Sequence, residues 1–286
     1  MRDCDGVTQT RYSVHAFDVL ECTRCGLMHR HPFPSDEEIV AMYNDPNYID
    51  SVYFASQREG DPRKRHPELV MYQQALDWLE GELDPERRDV LDIGCGTGFF
   101  LQYAEKRGWH GEGVELSPAH AKQAERDHGV KVHCGDIRQL ELPPASYDSI
   151  TLWDLLEHVV DPVAILEKAS RLLRPGGQIV ILTINSSSLF NWLAHMGYHA
   201  TGGRVGRAIE LLYDKRHCYY FTTDTLDAVI HSAGLAVAHR SRHRAHLGRW
   251  VSEPAPLWMV AGAEVVDWVS VILRAQYRQL VFCHSA

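Results

Sequence analysis

Apolar and polar positions fall into alternating blocks along the middle of the chain. Residues 88–93 form a short, mostly apolar run that ends at glycine, the pattern of a buried strand. Residues 99–107 follow at helical spacing, with Phe100, Leu101 and Ala104 on one face. The alternation then repeats. Residues 111–116 predict a second strand, and Ser117-Pro118 opens a helix with serine as N-cap and proline at the first helical position. Residues 130–133 and 147–152 predict a third and a fourth strand. Asp161-Pro162 caps a helix running to Leu173, Arg174-Pro175-Gly176-Gly177 reads as a tight turn, and 178–183 is a fifth strand. A further helix over 67–83, with Leu69, Tyr72, Leu76 and Leu79 at its period, precedes the first strand. Strands alternating with helices predict a doubly wound α/β domain, a parallel sheet with right-handed crossovers.

The flanks read differently. Cys22-Thr23-Arg24-Cys25-Gly26 is a Cys-x-x-Cys-Gly knuckle, half of a zinc ribbon. Cys4 suits the second pair, but its partner would fall at position 1, which is Met. His15, His29 and His31 are candidates for the fourth ligand, and a metal-free remnant is the other reading. Ser35 and Glu38 form a capping-box signature ahead of Ile39, Val40 and Tyr43. Residues 44–65 are polar, with Pro46, Gly60 and Pro62, and read as linker. The organisation is therefore a zinc-ribbon-like segment at 1–34, a short helix and linker at 35–66, and a main domain at 67–286.

Residues 186–216 hold no clear strand but carry Phe190, Trp192, Tyr198 and Tyr213, and an insertion over about 186–220 reads as a partial lid and acceptor pocket after the fifth strand. A helix to about Ala233 and a strand near 235–239 follow. Residues 256–278 are helical by period, with a polar stripe of Glu264, Asp267, Ser270, Arg274 and Arg278 on an otherwise apolar surface. That apolar face is expected to pack on the core, with a second subunit (a homodimer) and a membrane surface as the alternatives. Residues 279–284 predict a last, antiparallel strand.

Composition narrows the function. Hydrophobic residues make up 45% of the 286 and charged residues 23%, enough for a packed core. The net charge of -9 argues against a nucleic-acid partner. No apolar stretch opens the chain or reaches spanning length, and seven scattered cysteines do not form a disulfide framework, so the expected compartment is the cytoplasm.

The chemistry lies in Val90-Leu91-Asp92-Ile93-Gly94-Cys95-Gly96-Thr97-Gly98. A glycine turn between strand and helix, with backbone N–H groups at the helix start, is where doubly wound domains bind nucleotides. Gly94 and Gly96 fit the first two positions of G-x-G-x-x-G, but its third falls on Phe99. The order present is D-x-G-x-G-x-G, which resembles motif I of the class I S-adenosylmethionine-dependent methyltransferases. The resemblance extends over roughly 67–240 and implies a seven-stranded, mostly parallel Rossmann-like methyltransferase fold with a small N-terminal appendage. It includes Leu155-Leu156-Glu157-His158-Val159, like the Leu-Glu-His-Val of small-molecule enzymes, and His217 to Thr222, whose His-x-x-x-Phe-Thr resembles ubiquinone-type O-methyltransferases. Many bacterial methyltransferases of this kind also begin with a cysteine segment followed by Pro-x-Pro, here Pro32-Phe33-Pro34.

The implied cofactor is S-adenosylmethionine, lined by Asp92, Gly94, Cys95, Gly96, Gly98 and Leu116. Glu115, at the end of the second strand, suits the ribose hydroxyls. Asp136 would face the adenine amino group and Ile137 its ring. Trp153 and Asp154, just past the fourth strand, would lie at the methionine end, and Tyr48, Tyr53 and Phe54 either pack or cover the mouth. Cys95 reads as a packing residue inside the turn, not a nucleophile. His158 and His217 are the candidate general bases for an O-methyl transfer, and zinc at Cys4, Cys22 and Cys25 is the candidate structural metal. The expected acceptor is a small molecule or a glycan or lipid precursor. A nicotinamide-dependent oxidoreductase and a non-catalytic cofactor-fold binding protein are the competing readings.

Overall fold

A computed structural model describes residues 6–14, 17–45, 67–204, 207–244 and 257–286. Cys4, His15, the linker aromatics Tyr48, Tyr53 and Phe54, and the rest of 46–66 lie outside the described residues. The N-terminal segment is an antiparallel meander of β1 (Thr8–Val14), β2 (Phe17–Cys22) and β3 (Met28–His31). The knuckle joins β2 to β3: Gly26 N–H donates to the Cys22 carbonyl at 2.9 Å and Cys22 N–H to the Leu27 carbonyl at 3.0 Å. Gly26 holds φ +71°, which a side chain would resist. Helix α1 (Asp36–Tyr43) starts with the predicted capping box, Ser35 and Glu38 each satisfying the other's backbone N–H. Helix α2 (Pro67–Glu82) leads into the main domain.

There the predicted alternation is realised as β4 (Asp89–Ile93), α3 (Phe99–Glu105), β5 (His110–Glu115), α4 (Pro118–His128), β6 (Lys131–Cys134), β7 (Tyr147–Trp153), α5 (Pro162–Leu172) and β8 (Leu173–Ile184). The expected turn at 174–177 lies within β8 instead, as an irregularity. Tyr147 pairs with Leu173 while Ser149 pairs with Gln178, so the glycines are looped out between two matched registers. Beyond β8 the chain folds as α6 (Leu189–Ala200) and α7 (Arg207–Leu212), followed by the two-residue β9 (Tyr219–Tyr220) and α8 (Thr223–Ser232). The chain ends with β10 (Leu235–His243), α9 (Leu257–Ile272) and β11 (Arg278–Ser285).

Two sheets result. The large one has the order β10-β11-β8-β7-β4-β5-β6, with β11 antiparallel to both neighbours and β8 through β6 parallel. Its faces are apolar by simple alternation. Leu91, Ile93, Ile179 and Ile181 join one core with α5 and α8, and Val90, Val180 and Leu182 join the other with α2 and α3. The chain runs outward from β4 to β6, then returns to place β7 on the other side of β4. That reversal opens a crevice at the carboxyl ends of β4 and β7. The small sheet, β1-β2-β3-β9, takes its last strand from beyond α7, and so ties the N-terminal segment to the main domain.

The C-terminal helix departs from expectation. It ends at Ile272, Arg274 lies beyond it at φ +53°, and Arg278 begins β11. Its polar stripe faces inward, with Asp267 and Ser270 fully buried, and its apolar side faces outward. The cause is a residue outside the helix: Arg244 bonds Asp267 at 2.8 Å and Glu264 at 2.7 Å. A guanidinium between two carboxylates fixes the polar side against the body of the protein.

Candidate functional site

The glycine turn fills the switch point. Gly94, Gly96 and Gly98 all have positive φ, and Gly94 and Cys95 N–H groups donate to the Val114 carbonyl at 2.8 and 3.1 Å. A Cβ on Gly98 would stand 3.0 Å from Ala124 and 3.2 Å from Val130, so this position is closed to larger residues. Cys95 Sγ sits where a Cβ on Gly113 would be, 2.5 Å away, a packing role as the sequence implies. Glu115 closes the turn from β5, its two oxygens accepting from Gly96 N–H and Ser117 N–H, each at 2.8 Å. Ser117 occupies the N-cap position, but its hydroxyl bonds Asn44 at 3.1 Å rather than capping the helix. Asp92 is buried and accepts from Thr151 at 2.7 Å; burial pushes its carboxyl up to about 7. Burial likewise raises Glu115, against the pull of its backbone donors. Asp136 follows β6 and is held by Arg138, and Ile137 is buried behind it. Leu116 is half-buried at the end of β5.

Beyond β7 the chain turns sharply. Asp154 takes a left-handed conformation, φ +48°, while its N–H donates to Leu182 at 2.8 Å. Trp153 packs edge-on to Tyr72 of α2 at 4.6 Å and against Phe100 at 4.9 Å. Arg278 of β11 reaches this point and pairs with Asp154, with Glu68 of α2 at 4.0 Å. Glu68 and Arg278 were not legible as site residues, because the three partners lie on separate elements.

His158 and His217 come together, their rings edge-to-face at 4.7 Å. The small sheet brings them there: Cys218 and Tyr219 N–H groups both donate to the Glu157 carbonyl, at 2.6 and 3.1 Å, where β9 pairs with β3. His158 Nδ1 bonds the Arg216 carbonyl at 3.2 Å, which requires the proton on Nδ1 and leaves Nε2 as an acceptor. Burial holds both imidazoles neutral, His158 down to about 3 and His217 to about 4. Glu157 completes the group: the ligand atoms of Glu157, His158 and His217 lie within 4.8 Å of one another. Among the described residues this is the one such group able to hold a metal ion, and it does not include Cys22 or Cys25. Its signal, Glu157 inside the Leu-Glu-His-Val run, was on view, but nothing local marks the side chain as buried beside two imidazoles. Both Glu157 oxygens, His217 Nδ1, Asp154 Oδ1 and Trp153 Nε1 are buried with no hydrogen-bond partner among the described residues. So many orphaned polar atoms along one sheet edge fit a crevice built to hold polar ligands.

Comparison with known proteins agrees with this geometry. The family described as Methyltransferase domain matches residues 56–240. A ubiquinone biosynthesis O-methyltransferase from Paracidovorax citrulli is 31% identical over 140 residues, covering 46% of this chain and 58% of that enzyme. The chain thus spans little more than half the length of such curated relatives. Among solved structures, magnesium protoporphyrin IX methyltransferase from Synechocystis PCC 6803, with bound SAH, superposes with a TM-score of 0.60 at 15% identity over 88% of this chain and 100% of that one. Geranyl diphosphate C-methyltransferase from Streptomyces coelicolor A3(2) gives 0.57 at 18% identity over 89% of this chain and 99% of that one. With the D-x-G-x-G-x-G turn seated at the switch point of the sheet, the chain belongs to the class I S-adenosylmethionine-dependent methyltransferases.

Proposed function

We propose that this protein methylates a hydroxyl group of a small acceptor, a free molecule or a glycan or lipid precursor, and that His158 receives the proton. S-adenosylmethionine, when bound, supplies a methyl group on a sulfonium whose departure leaves a neutral thioether. Gly94, Cys95, Gly96 and Gly98 would take its methionine and sugar, Glu115 its ribose hydroxyls, Asp136 and Ile137 its adenine, and Asp92, Leu116, Trp153 and Asp154 the walls. The relatives named as ubiquinone biosynthesis O-methyltransferases support oxygen as the acceptor atom. The carrying observation is His158, whose Nδ1–H is committed to Arg216 so that Nε2 stands ready beside His217 and Glu157. As the acceptor oxygen gains the methyl group, its proton passes to Nε2, and most of the acceleration comes from holding the two reactants aligned. Assay of cofactor consumption against hydroxylated acceptors tests this. His158→Ala should lower single-turnover rate about a hundredfold with cofactor affinity intact; an unchanged rate would overturn the role.

A second reading concerns the same three side chains. Imidazoles this reluctant to protonate are weak bases but good metal ligands. A divalent cation between Glu157, His158 and His217 would instead acidify the acceptor hydroxyl. Turnover abolished by a chelator and restored by added metal would favour it, and chelator-insensitive turnover would exclude it. Zinc at the knuckle is a separate proposal. Its support is the knuckle geometry and the closeness of Gly6, two residues after Cys4, whose added Cβ would meet Cys22 Sγ at 2.3 Å. Cys95, Cys134, Cys218 and Cys283 are thiols, which suits a reducing cytoplasm.

A further inference from the structure

The apolar side of α9 is an exposed feature that methyl transfer does not use. Trp268 is 61% exposed and Ile272 81%, and Val265, Val269, Val271 and Leu273 are exposed with them. This is a built arrangement. Asp267 and Ser270 are buried beneath, Ser270 Oγ donates to the Asp267 carbonyl at 2.6 Å, and Arg244 clamps Asp267 and Glu264 while lying 4.3 Å over the Trp268 ring. The helix therefore cannot roll its apolar side inward without burying that clamp unpaired. Helix α6 packs against α9, with Leu189 N–H donating to the Ala275 carbonyl at 2.9 Å, and adds Trp192 (57% exposed), Leu193 and Met196. Exposed apolar surface of this size on neighbouring helices marks an interaction site.

Charge identifies the occupant. The chain as a whole carries -9, yet residues 239–249 hold four arginines and three histidines with no acid. Arg242 in that run is exposed, as are Arg274, directly after α9, and Arg204, after α6. We propose that α6 and α9 form a docking surface for an anionic lipid membrane, with the apolar residues entering the interface and the arginines meeting headgroups. At 16 residues with two acids, α9 is too short and too polar on one side to span a bilayer, and lies in its plane. Exposed tryptophans suit that depth. A second copy fits less well, because a two-fold contact would set each basic rim against its own image. Helix α6 begins just past the carboxyl end of β8, so the docked face lies on the crevice side of the sheet.

The test is co-sedimentation of the full chain with vesicles of phosphatidylcholine alone or with about one quarter phosphatidylglycerol. The expected result is binding to anionic vesicles, at least tenfold weaker on neutral ones and reduced by salt. Ile272→Asp combined with Val265→Asp should weaken binding at least tenfold, while circular dichroism and cofactor affinity stay unchanged. Arg274→Glu supplies a second arm that leaves the apolar face intact and should weaken only the anionic component. Absence of binding, equal binding to both vesicles, or insensitivity to all three substitutions would overturn the proposal. So would a dimer in sedimentation equilibrium that the aspartate substitutions dissociate without any vesicle binding.

Discussion

Replacement of Arg278 by Met tests how the crevice is held together. Arg278 is the cation between Asp154 and Glu68, and its side chain is 6% exposed against 3% for Glu68. Methionine fills similar volume but removes the charge. Two carboxylates, one just past β7 and one on α2, would then face each other in a buried site. Burial and Glu68 already raise the Asp154 carboxyl, with Arg278 the main opposing influence. Removing one partner of a buried pair costs about 3–5 kcal/mol, and for a chain of this size that lowers Tm by roughly 10 °C. The loss should be recovered in part by Asp154→Asn in the Arg278→Met background, because that change withdraws one stranded carboxylate. Urea unfolding of the wild type, both single variants and the double variant gives the coupling energy directly. Calorimetry on the same set should show weaker cofactor binding in Arg278→Met, since Asp154 and the Tyr72–Trp153 contact border the crevice. A single variant losing less than about 1 kcal/mol, or a double variant no better than the single, would refute the reasoning.

Three further outcomes are expected. Asp148 sits at the opposite end of the sheet; burial pushes it up, but bonds from Arg87, the Asp89 N–H and Arg174 outweigh burial and hold it below the ordinary carboxylate value. Its stabilisation is therefore present above the unfolded carboxylate range and lost as pH falls through the folded value. Asp148→Asn should lower neutral-pH stability and flatten the acid limb below pH about 4 in denaturation profiles. Gly98→Ala forces a side chain into φ +78° with a Cβ 3.0 Å from Ala124; thermal unfolding should show a loss of about 1–2 kcal/mol from the backbone alone. If the knuckle holds zinc, metal analysis should find close to one equivalent, lost in Cys22→Ser.

What the sequence discloses and what it hides divide by range of interaction. The strand ends, the glycine turn, Glu115 and the capping box at Ser35 are set by neighbours a few residues apart, so spacing alone locates them. The orientation of α9 depends on Arg244, 23 residues from Asp267, and no periodicity within the helix reports it. Arg278 and Asp154 are 124 residues apart, and the spacing of Arg278 continues the stripe, so periodicity alone predicts it as helical. The two histidines belong to two separate motifs. That they meet depends on β9, a two-residue strand too short to leave a pattern, pairing with β3. Glu157 shows the same limit: its motif is local, but its burial beside both imidazoles is a tertiary fact.

Titration of S-adenosylmethionine into the full chain and its Glu115→Ala variant tests the central claim most directly. Glu115 closes the glycine turn through Gly96 N–H and is the residue proposed to take the ribose hydroxyls. Hydrogen bonds to a charged group contribute about 1.5–3 kcal/mol, so the variant should bind about ten- to a hundredfold more weakly while remaining folded. Saturable binding to the wild type with that loss in the variant is the expected result. A wild-type chain that ignores S-adenosylmethionine, or binds it equally well without the Glu115 carboxylate, would contradict the account.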